Sequence, residues 1–141
     1  EYLFSLLKKL HLTNAIIYHG LISYLDLLSE MLMKYMIGLA PYRAITGSVR
    51  WYADATKIRL YFANGLPVIT TQIPPLGKEA AEKGSAIVVK DTKETLAQAI
   101  IEMLSDKKKY AMYRKAAIAF AEHNTWEKSY KEAIKQMNMS L

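Results

Sequence analysis

The sequence contains no cysteine among its 141 residues. A disulfide framework, a cysteine-based metal site and a cysteine nucleophile are therefore excluded. No Asp-x-Asp pair occurs, and the three histidines, His11, His19 and His123, lack the spacing of metal ligands. We therefore predict a mechanism without a metal ion, and no cofactor is expected.

Long apolar runs are also missing. No run reaches the about 18 residues that a membrane span needs, and the N-terminus lacks the charged, apolar and small-residue order of a signal peptide. We therefore expect a cytoplasmic protein. Residues 1–141 have the size of one domain, and 52% of them are hydrophobic, which allows a sizeable core.

Negative charge is scarce, since the formal net charge is +6 and the pI is about 9.4. The excess favours an anionic partner, and nucleic acid, an acidic lipid surface and phosphorylated small molecules fit it equally well. Much of it falls on a late part of the chain, where we interpret it as a solvated helical face: Lys107, Lys108, Lys109, Arg114, Lys115, Lys128, Lys131 and Lys135.

Apolar, β-branched runs alternate with helix-like periodicity along the chain. Four strands are predicted, near residues 15–19, 36–40, 67–71 and 86–90. Alternation of this kind is typical of a parallel sheet with helical crossovers, and continuous apolar strands fit a sheet covered on both faces. The sequence therefore predicts an α/β fold with an open parallel sheet and helices on both faces.

Helix boundaries follow from capping residues and glycines. We predict N-caps at Ser23, Asp54 and Asp91, and helix ends at Gly65 and Gly84. Helices are expected over 1–12, from 23 to about 35, from 54 to Gly65, from Pro75 to Gly84, from 91 to about 104, over 107–122 and from Thr125 onward. The helix after Asp91 is predicted to bury Leu96, Ala97, Ile100, Ile101 and Leu104.

The helix start after Asp54 is the first candidate site. The backbone amides of Ala55, Thr56 and Lys57 carry the positive end of the helix dipole, and Lys57 adds a full charge. This arrangement predicts a cradle for a phosphate or diphosphate. The alternative is a solvated helix start that binds nothing, which the carboxylate of Asp54 at the same end would favour.

The run that begins at Lys57, with the pattern Lys-Ile-x-x-Tyr-x-Ala-x-Gly-Leu-Pro-Val-Ile, resembles the C-terminal, donor-binding domain of GT-B glycosyltransferases. The similarity extends over roughly residues 14–131. It implies a Rossmann-like sheet, incomplete at its N-terminus, in which Ala55, Thr56 and Lys57 face the donor diphosphate. The position of the family's usual glutamate, which holds the ribose or the sugar, is occupied by Leu60.

The same resemblance implies further contacts with the donor. The loop at Gly20 would touch the nucleotide base. The segment that follows the second predicted strand lies where ligands bind in open α/β sheets, which makes Tyr42, Arg43, Ser48 and Arg50 candidates for contacts with the base or sugar. A solvated loop without a ligand is the alternative interpretation.

Our leading interpretation is a hexosyltransferase-like domain that moves a sugar from a nucleotide-diphosphate sugar to an acceptor. The acceptor would be bound mainly by an N-terminal domain of the same polypeptide, so that the isolated fragment is inactive. Peripheral association with the inner face of a membrane stays open. The alternative is a non-catalytic nucleotide-binding or interaction module. We expect no nucleic-acid partner, because no helix-turn-helix, zinc or aromatic RNA-binding signature is present.

Overall fold

A three-stranded parallel sheet lies at the centre of the computed structural model, which describes residues 2–23 and 31–139. The strands are β1 (Gly38–Ala40), β2 (Val68–Thr71) and β3 (Ala86–Val89), in the order β1-β2-β3. Val68 is in register with Gly38 on one side and with Ala86 on the other. The predicted α/β fold with a Rossmann-like, open parallel sheet is therefore confirmed.

The strands are connected by helical crossovers, as parallel pairing requires. The helix Thr56–Ala63 lies between β1 and β2, and the helix Pro75–Glu82 lies between β2 and β3. The helices are α1 (Tyr2–Lys9), α2 (Thr56–Ala63), α3 (Pro75–Glu82), α4 (Lys93–Ser105), α5 (Lys107–His123) and α6 (Trp126–Met139), with short 3-10 turns at Thr13–Ala15, Leu32–Lys34 and Val49–Trp51.

The sheet is covered on both faces because successive strand residues point to opposite sides. On one face, β-strand residues pack with α2, α3 and the second half of α5. On the other, Ile69 packs with α4 and with Tyr110 and Tyr113 from the first half of α5. The first face is built around Ala40, Val68, Ala86, Ile58, Phe62, Leu76, Ala80, Ala117 and Phe120.

Burial follows the position of each strand in the sheet. All four residues of the central strand β2 are buried. In β3 only Ala86 is buried and the other residues are partly exposed, because β3 is an edge strand. The strands predicted over 36–40, 67–71 and 86–90 are thus present with slightly shorter ends, but the third is less buried than predicted.

The strand predicted over residues 15–19 does not form. Ala15 ends a 3-10 turn, and residues 16–20 adopt no regular structure, with Ile17 77% and Tyr18 66% exposed. A strand needs a neighbour to accept and donate its backbone hydrogen bonds, and within the described part of the chain this segment has none. The apolar run was therefore insufficient to predict a strand.

Most of the helix predicted after Ser23 lies outside the described residues, since 24–30 fall in the gap. Near the predicted C-terminal end of this helix, the structure has a 3-10 turn, Leu32–Lys34, in which Leu32 is buried. Tyr35 follows in an extended conformation, so the helix does not extend to residue 35.

Glycine ends two helices as predicted. Gly65 has a φ of 70°, its amide donates to Phe62 O at 2.9 Å, and the amide of Leu66 donates to Tyr61 O at 2.9 Å. These two bonds form a Schellman motif, for which a residue with positive φ is required. Gly84, with a φ of 72°, follows the end of α3 in the same way.

The predicted start of α4 is wrong by one residue. Thr92, not Asp91, is the N-cap, and its hydroxyl accepts from the Thr95 amide at 3.3 Å. The Asp91 carboxylate instead lies 3.7 Å from the Arg43 guanidinium.

The predicted apolar face of α4 is also partly wrong. Ala99 and Met103 are the residues buried against the sheet, with Leu96 and Ile100 half-buried beside them. Ile101, 60% exposed, and Leu104, 42% exposed, point away from it. The spacing of apolar residues indicates only roughly which face of a helix is buried. The packing of α4 on β2 and β3 decides which of the neighbouring apolar residues lie against the sheet.

Candidate functional site

The helix α2 begins at the carboxyl edge of the sheet, directly after the long connection from β1. Its N-cap is Ala55, which is only 2% exposed and provides no side-chain cap. The predicted N-cap, Asp54, is therefore wrong. Its carboxylate instead accepts from Arg59 Nε at 2.9 Å, one turn further along the helix. Burial of the Ala55 methyl group places the helix start one residue later than the sequence predicts.

Without a side-chain cap, the first amides of α2 keep their hydrogen-bonding capacity. The carbonyl of Ala55 accepts from Ile58 N at 2.8 Å and from Arg59 N at 3.1 Å. Among residues 2–23 and 31–139, no acceptor is bonded to the amides of Thr56 and Lys57. The side chains of Thr56 and Lys57 are both exposed. This helix start can accept an anion.

Tyr42 lies beside this helix start, held by the last residue of β2. The Tyr42 amide donates to Thr71 Oγ1 at 3.1 Å, and Thr71 Oγ1 donates to the Tyr42 carbonyl at 2.6 Å. Thr71 is only 3% exposed, so this connection is protected from water. The Tyr42 ring in turn lies 5.8 Å from Lys57 Nζ, within the range of a cation–π interaction.

Two cations near this tyrosine have no carboxylate partner within the described ranges. Lys57 and Arg50 form no ion pair with any described residue, whereas Arg43 and Arg59 pair with Asp91 and Asp54. The charge of Arg50 lies near enough to lower the pKa of Tyr42, although burial has the larger effect and raises that pKa. Lys57 and Arg50 are thus two positive charges near Tyr42 that no carboxylate of residues 2–23 and 31–139 neutralises.

A second tyrosine, Tyr61, lies near Tyr42. Burial raises the pKa of Tyr61, and the neighbouring Tyr42 raises it further. Its ring packs directly against Gly38 of β1, where an added Cβ would overlap the ring atoms. Gly38 therefore allows α2 to approach β1 closely.

A groove of about 380 Å³ opens on another side of the α2 start. It lies between this helix and the junction of α5 with α6, and Leu60 is one of its lining residues. The polar groups around it are the paired Asp54 and Arg59, together with Thr56, Asn124 and Thr125. The indole of Trp126, 75% exposed, stands at its rim and stacks on Tyr130 with ring centroids 6.0 Å apart.

The other predicted donor contacts, Arg43, Ser48 and Gly20, have different surroundings from Tyr42 and Lys57. Arg43 lines another cavity, of about 290 Å³, at the ends of the strands, together with Thr71, Asp91 and Lys93. The Ser48 hydroxyl accepts from the Arg50 amide at 3.3 Å and so organises the loop itself.

Gly20 also lies apart from these contacts. It is exposed, and a Cβ added to it would meet no atom within 4 Å. His19, next to it, contacts the Tyr35 hydroxyl at 2.9 Å, which is a structural contact.

Several residues that build the site were missed by the sequence analysis. Thr71 was predicted only as the end of a buried strand, and its role depends on Tyr42, 29 residues away. The Asp54–Arg59 pair was missed because Asp54 was predicted as a cap. Of these residues, only Thr71 could have been identified from the sequence. Its hydroxyl lies at the carboxyl end of a buried parallel strand, which is where ligands bind in open α/β sheets.

The described residues contain neither a metal-binding cluster nor a membrane-spanning helix. No group of three or more His, Cys, Asp or Glu side chains in the described ranges could hold a metal ion. None of the helices in that part of the chain is both long and apolar enough to span a membrane.

The described part of the chain thus belongs to the class of α/β proteins with an open parallel sheet and a candidate anion site at its carboxyl edge. Comparison with known proteins found no matching family model, and neither a curated protein nor a solved structure with significant similarity.

Proposed function

We propose that the chain is the donor-binding domain of a glycosyltransferase that uses a nucleotide-diphosphate sugar. The observation that carries the proposal is the start of α2 at the carboxyl edge of a parallel sheet, where the amides of Thr56 and Lys57 bond no acceptor among the described residues. Lys57 and Arg50, both close to Tyr42, form no ion pair in the same part of the chain. Phosphate groups favour helix N-termini and this edge of open α/β sheets.

Sugar transfer from a nucleotide-diphosphate sugar requires a positively charged site for the leaving diphosphate. Negative charge builds up on the diphosphate as it leaves the sugar. Amide dipoles that are already oriented, together with Lys57 and Arg50, would stabilise that charge without reorganisation. In this proposal the acceptor and its activating base are provided mainly by a domain N-terminal to the chain, and no metal ion takes part.

Leu60 supports a second candidate function, a nucleotide-binding module without catalysis. Leu60, at the position where the resembled family has a glutamate, lines the groove, and Asp54, a carboxylate that also lines it, is paired with Arg59. Such a groove offers the ribose or sugar few free acceptors. Diphosphate binding at α2 would persist without transfer.

Both candidate functions predict diphosphate binding at α2. Calorimetry tests it by titrating the chain with uridine diphosphate, guanosine diphosphate and the corresponding nucleosides. We expect the diphosphates alone to bind. Lys57→Ala should weaken binding about tenfold, as expected for loss of a hydrogen bond to a charged group.

Lys108→Ala is the matched control. It removes the same charge from the start of α5, near the opposite edge of the sheet, where Tyr110 donates to Met36 O just before β1. We expect binding to change by less than about twofold, since exposed charges at such a distance are screened. Equal losses in the two variants, or no binding to the wild type, would contradict the proposal.

Turnover separates the two functions. The full-length protein, given a labelled nucleotide sugar, should release the diphosphate in the presence of acceptor if it is a transferase, and Lys57→Ala should slow that release. The module predicts no turnover in either protein while diphosphate binding remains.

A further inference from the structure

We infer that Tyr42 is a positioning residue, whose ring holds the Lys57 ammonium in place to bind the diphosphate while its backbone is fixed to β2 by Thr71. The inference rests on the proposed function and assigns to Tyr42 a task other than direct contact with the donor. It depends on the geometry of three residues from three different elements.

The first step is the anchoring of Tyr42. Tyr42 follows β1 by two residues and begins a connection in which the next regular element is the 3-10 turn Val49–Trp51. Such a connection has many conformations available to it. The Thr71 side chain removes this freedom at Tyr42, because it bonds both the amide and the carbonyl of that residue, at 3.1 Å and 2.6 Å.

The second step is the placement of Lys57. A lysine has a flexible four-carbon stem, and an exposed one loses considerable rotamer entropy when it binds a ligand. Lys57 has no carboxylate partner among the described residues that would hold it. Its ammonium nevertheless lies 5.8 Å from the centre of the Tyr42 ring, so the ring can select one rotamer of this side chain in the first turn of α2.

The third step distinguishes the ring from the hydroxyl. A cation–π interaction requires the face of the ring and does not require the phenol oxygen. Tyr42→Phe should therefore keep Lys57 in place, whereas Tyr42→Leu should release it. A direct hydrogen bond from Tyr42 to the donor would give the opposite result for the phenylalanine variant.

The test measures uridine diphosphate binding in wild type, Tyr42→Phe, Tyr42→Leu, Lys57→Ala and the double variant Tyr42→Leu with Lys57→Ala. We expect Tyr42→Phe to bind within about twofold of wild type, and Tyr42→Leu to bind about two- to fivefold more weakly, the range of an exposed cation–π interaction. The double variant should bind no more weakly than Lys57→Ala alone, because Tyr42 acts only through Lys57.

A second measurement needs no ligand. The ε-methylene protons of Lys57 should be shifted upfield by the ring current in wild type and in Tyr42→Phe, and should return to ordinary values in Tyr42→Leu. Thr71→Val should reduce the shift, since it removes the hydroxyl that fixes Tyr42. Thr70→Val is the matched control, because its buried hydroxyl donates to Ala40 O at 2.8 Å and does not touch Tyr42.

Two results would overturn the inference: additive losses in the double variant, or Lys57 protons unshifted in the wild type. Failure of the proposed function would be recognised differently, as wild-type protein that binds no nucleoside diphosphate although its Lys57 protons are shifted. That result would confirm the contact between ring and ammonium and remove its role in binding.

Discussion

At the scale of single residues, the corner where Tyr42, Tyr61 and Lys57 meet combines two aromatic rings with a lysine that pairs with no carboxylate of the described residues. Tyr61 packs on Gly38 and is half-buried, which disfavours its phenolate. Tyr42 and Tyr61 have raised pKa values for the same main reason, burial. Burial thus disfavours the phenolate form of both tyrosines.

The raised pKa of Tyr61 predicts a loss of stability at high pH. Its ordinary pKa is 10.0, and the folded state favours the neutral form. The resulting stabilisation is complete below the unfolded pKa and is lost as pH rises through the folded pKa. We expect the free energy of unfolding to fall less between pH 8 and about pH 11 in Tyr61→Phe than in wild type.

Urea denaturation at the two pH values gives this difference. Tyr2→Phe is the control, since Tyr2 is 82% exposed, and it should lose as much stability as wild type. Identical pH dependence in all three proteins would show that Tyr61 is not protected in the fold.

At the scale of elements, the ends of the helices show what local sequence decides. Gly65 was predicted correctly because the need for positive φ at the end of α2 is a property of one residue. The starts of α2 and α4 were each wrong by one position. A capping side chain contributes only about 0.5–2 kcal/mol. The residues predicted as caps instead form ion pairs, Asp54 with Arg59 and Asp91 with Arg43, which local sequence does not indicate.

The corrected start of α4 can be tested directly. Thr92→Ala removes the hydroxyl that accepts from the Thr95 amide and should lower the free energy of unfolding by about 0.5–2 kcal/mol. Asp91→Ala removes only an exposed ion pair at 3.7 Å and should cost less than about 1 kcal/mol. Thermal or urea denaturation of the two variants measures the difference, and a larger loss for Asp91→Ala would restore the sequence prediction.

The segment 15–19 shows the limit of element prediction. Its apolar residues fit a strand as well as those of β2 do, but β2 has a partner on both sides and residues 16–20 have none in the described part of the chain. The candidate site has the same limit. Lys57 and Tyr42 were each predicted from the sequence or the resemblance, whereas their contact depends on Thr71, which only the folded sheet brings to Tyr42.

At the scale of the whole molecule, stability and exposed surface are unevenly distributed. Phe62 of α2 and Phe120 of α5 are nearly inaccessible, and their ring centroids are 5.1 Å apart. This contact ties the helix that carries the candidate site to the long helix α5. By contrast, every residue of α6 from 126 to 137 is exposed. The apolar side chains of α6 therefore contribute little to the folded state of this chain.

This contrast predicts the effect of removing α6. A chain that ends at Asn124 should lose less than about 1 kcal/mol of unfolding free energy, since tolerance to truncation follows from the burial of the removed residues. Phe120→Ala in the intact chain should lose about 3–5 kcal/mol, because it opens a cavity against Phe62. Urea denaturation compares the two, and diphosphate binding by the shortened chain should match wild type, since Tyr42, Lys57 and Thr71 are retained. A loss of several kcal/mol on truncation would instead show that α6 packs on the domain in solution.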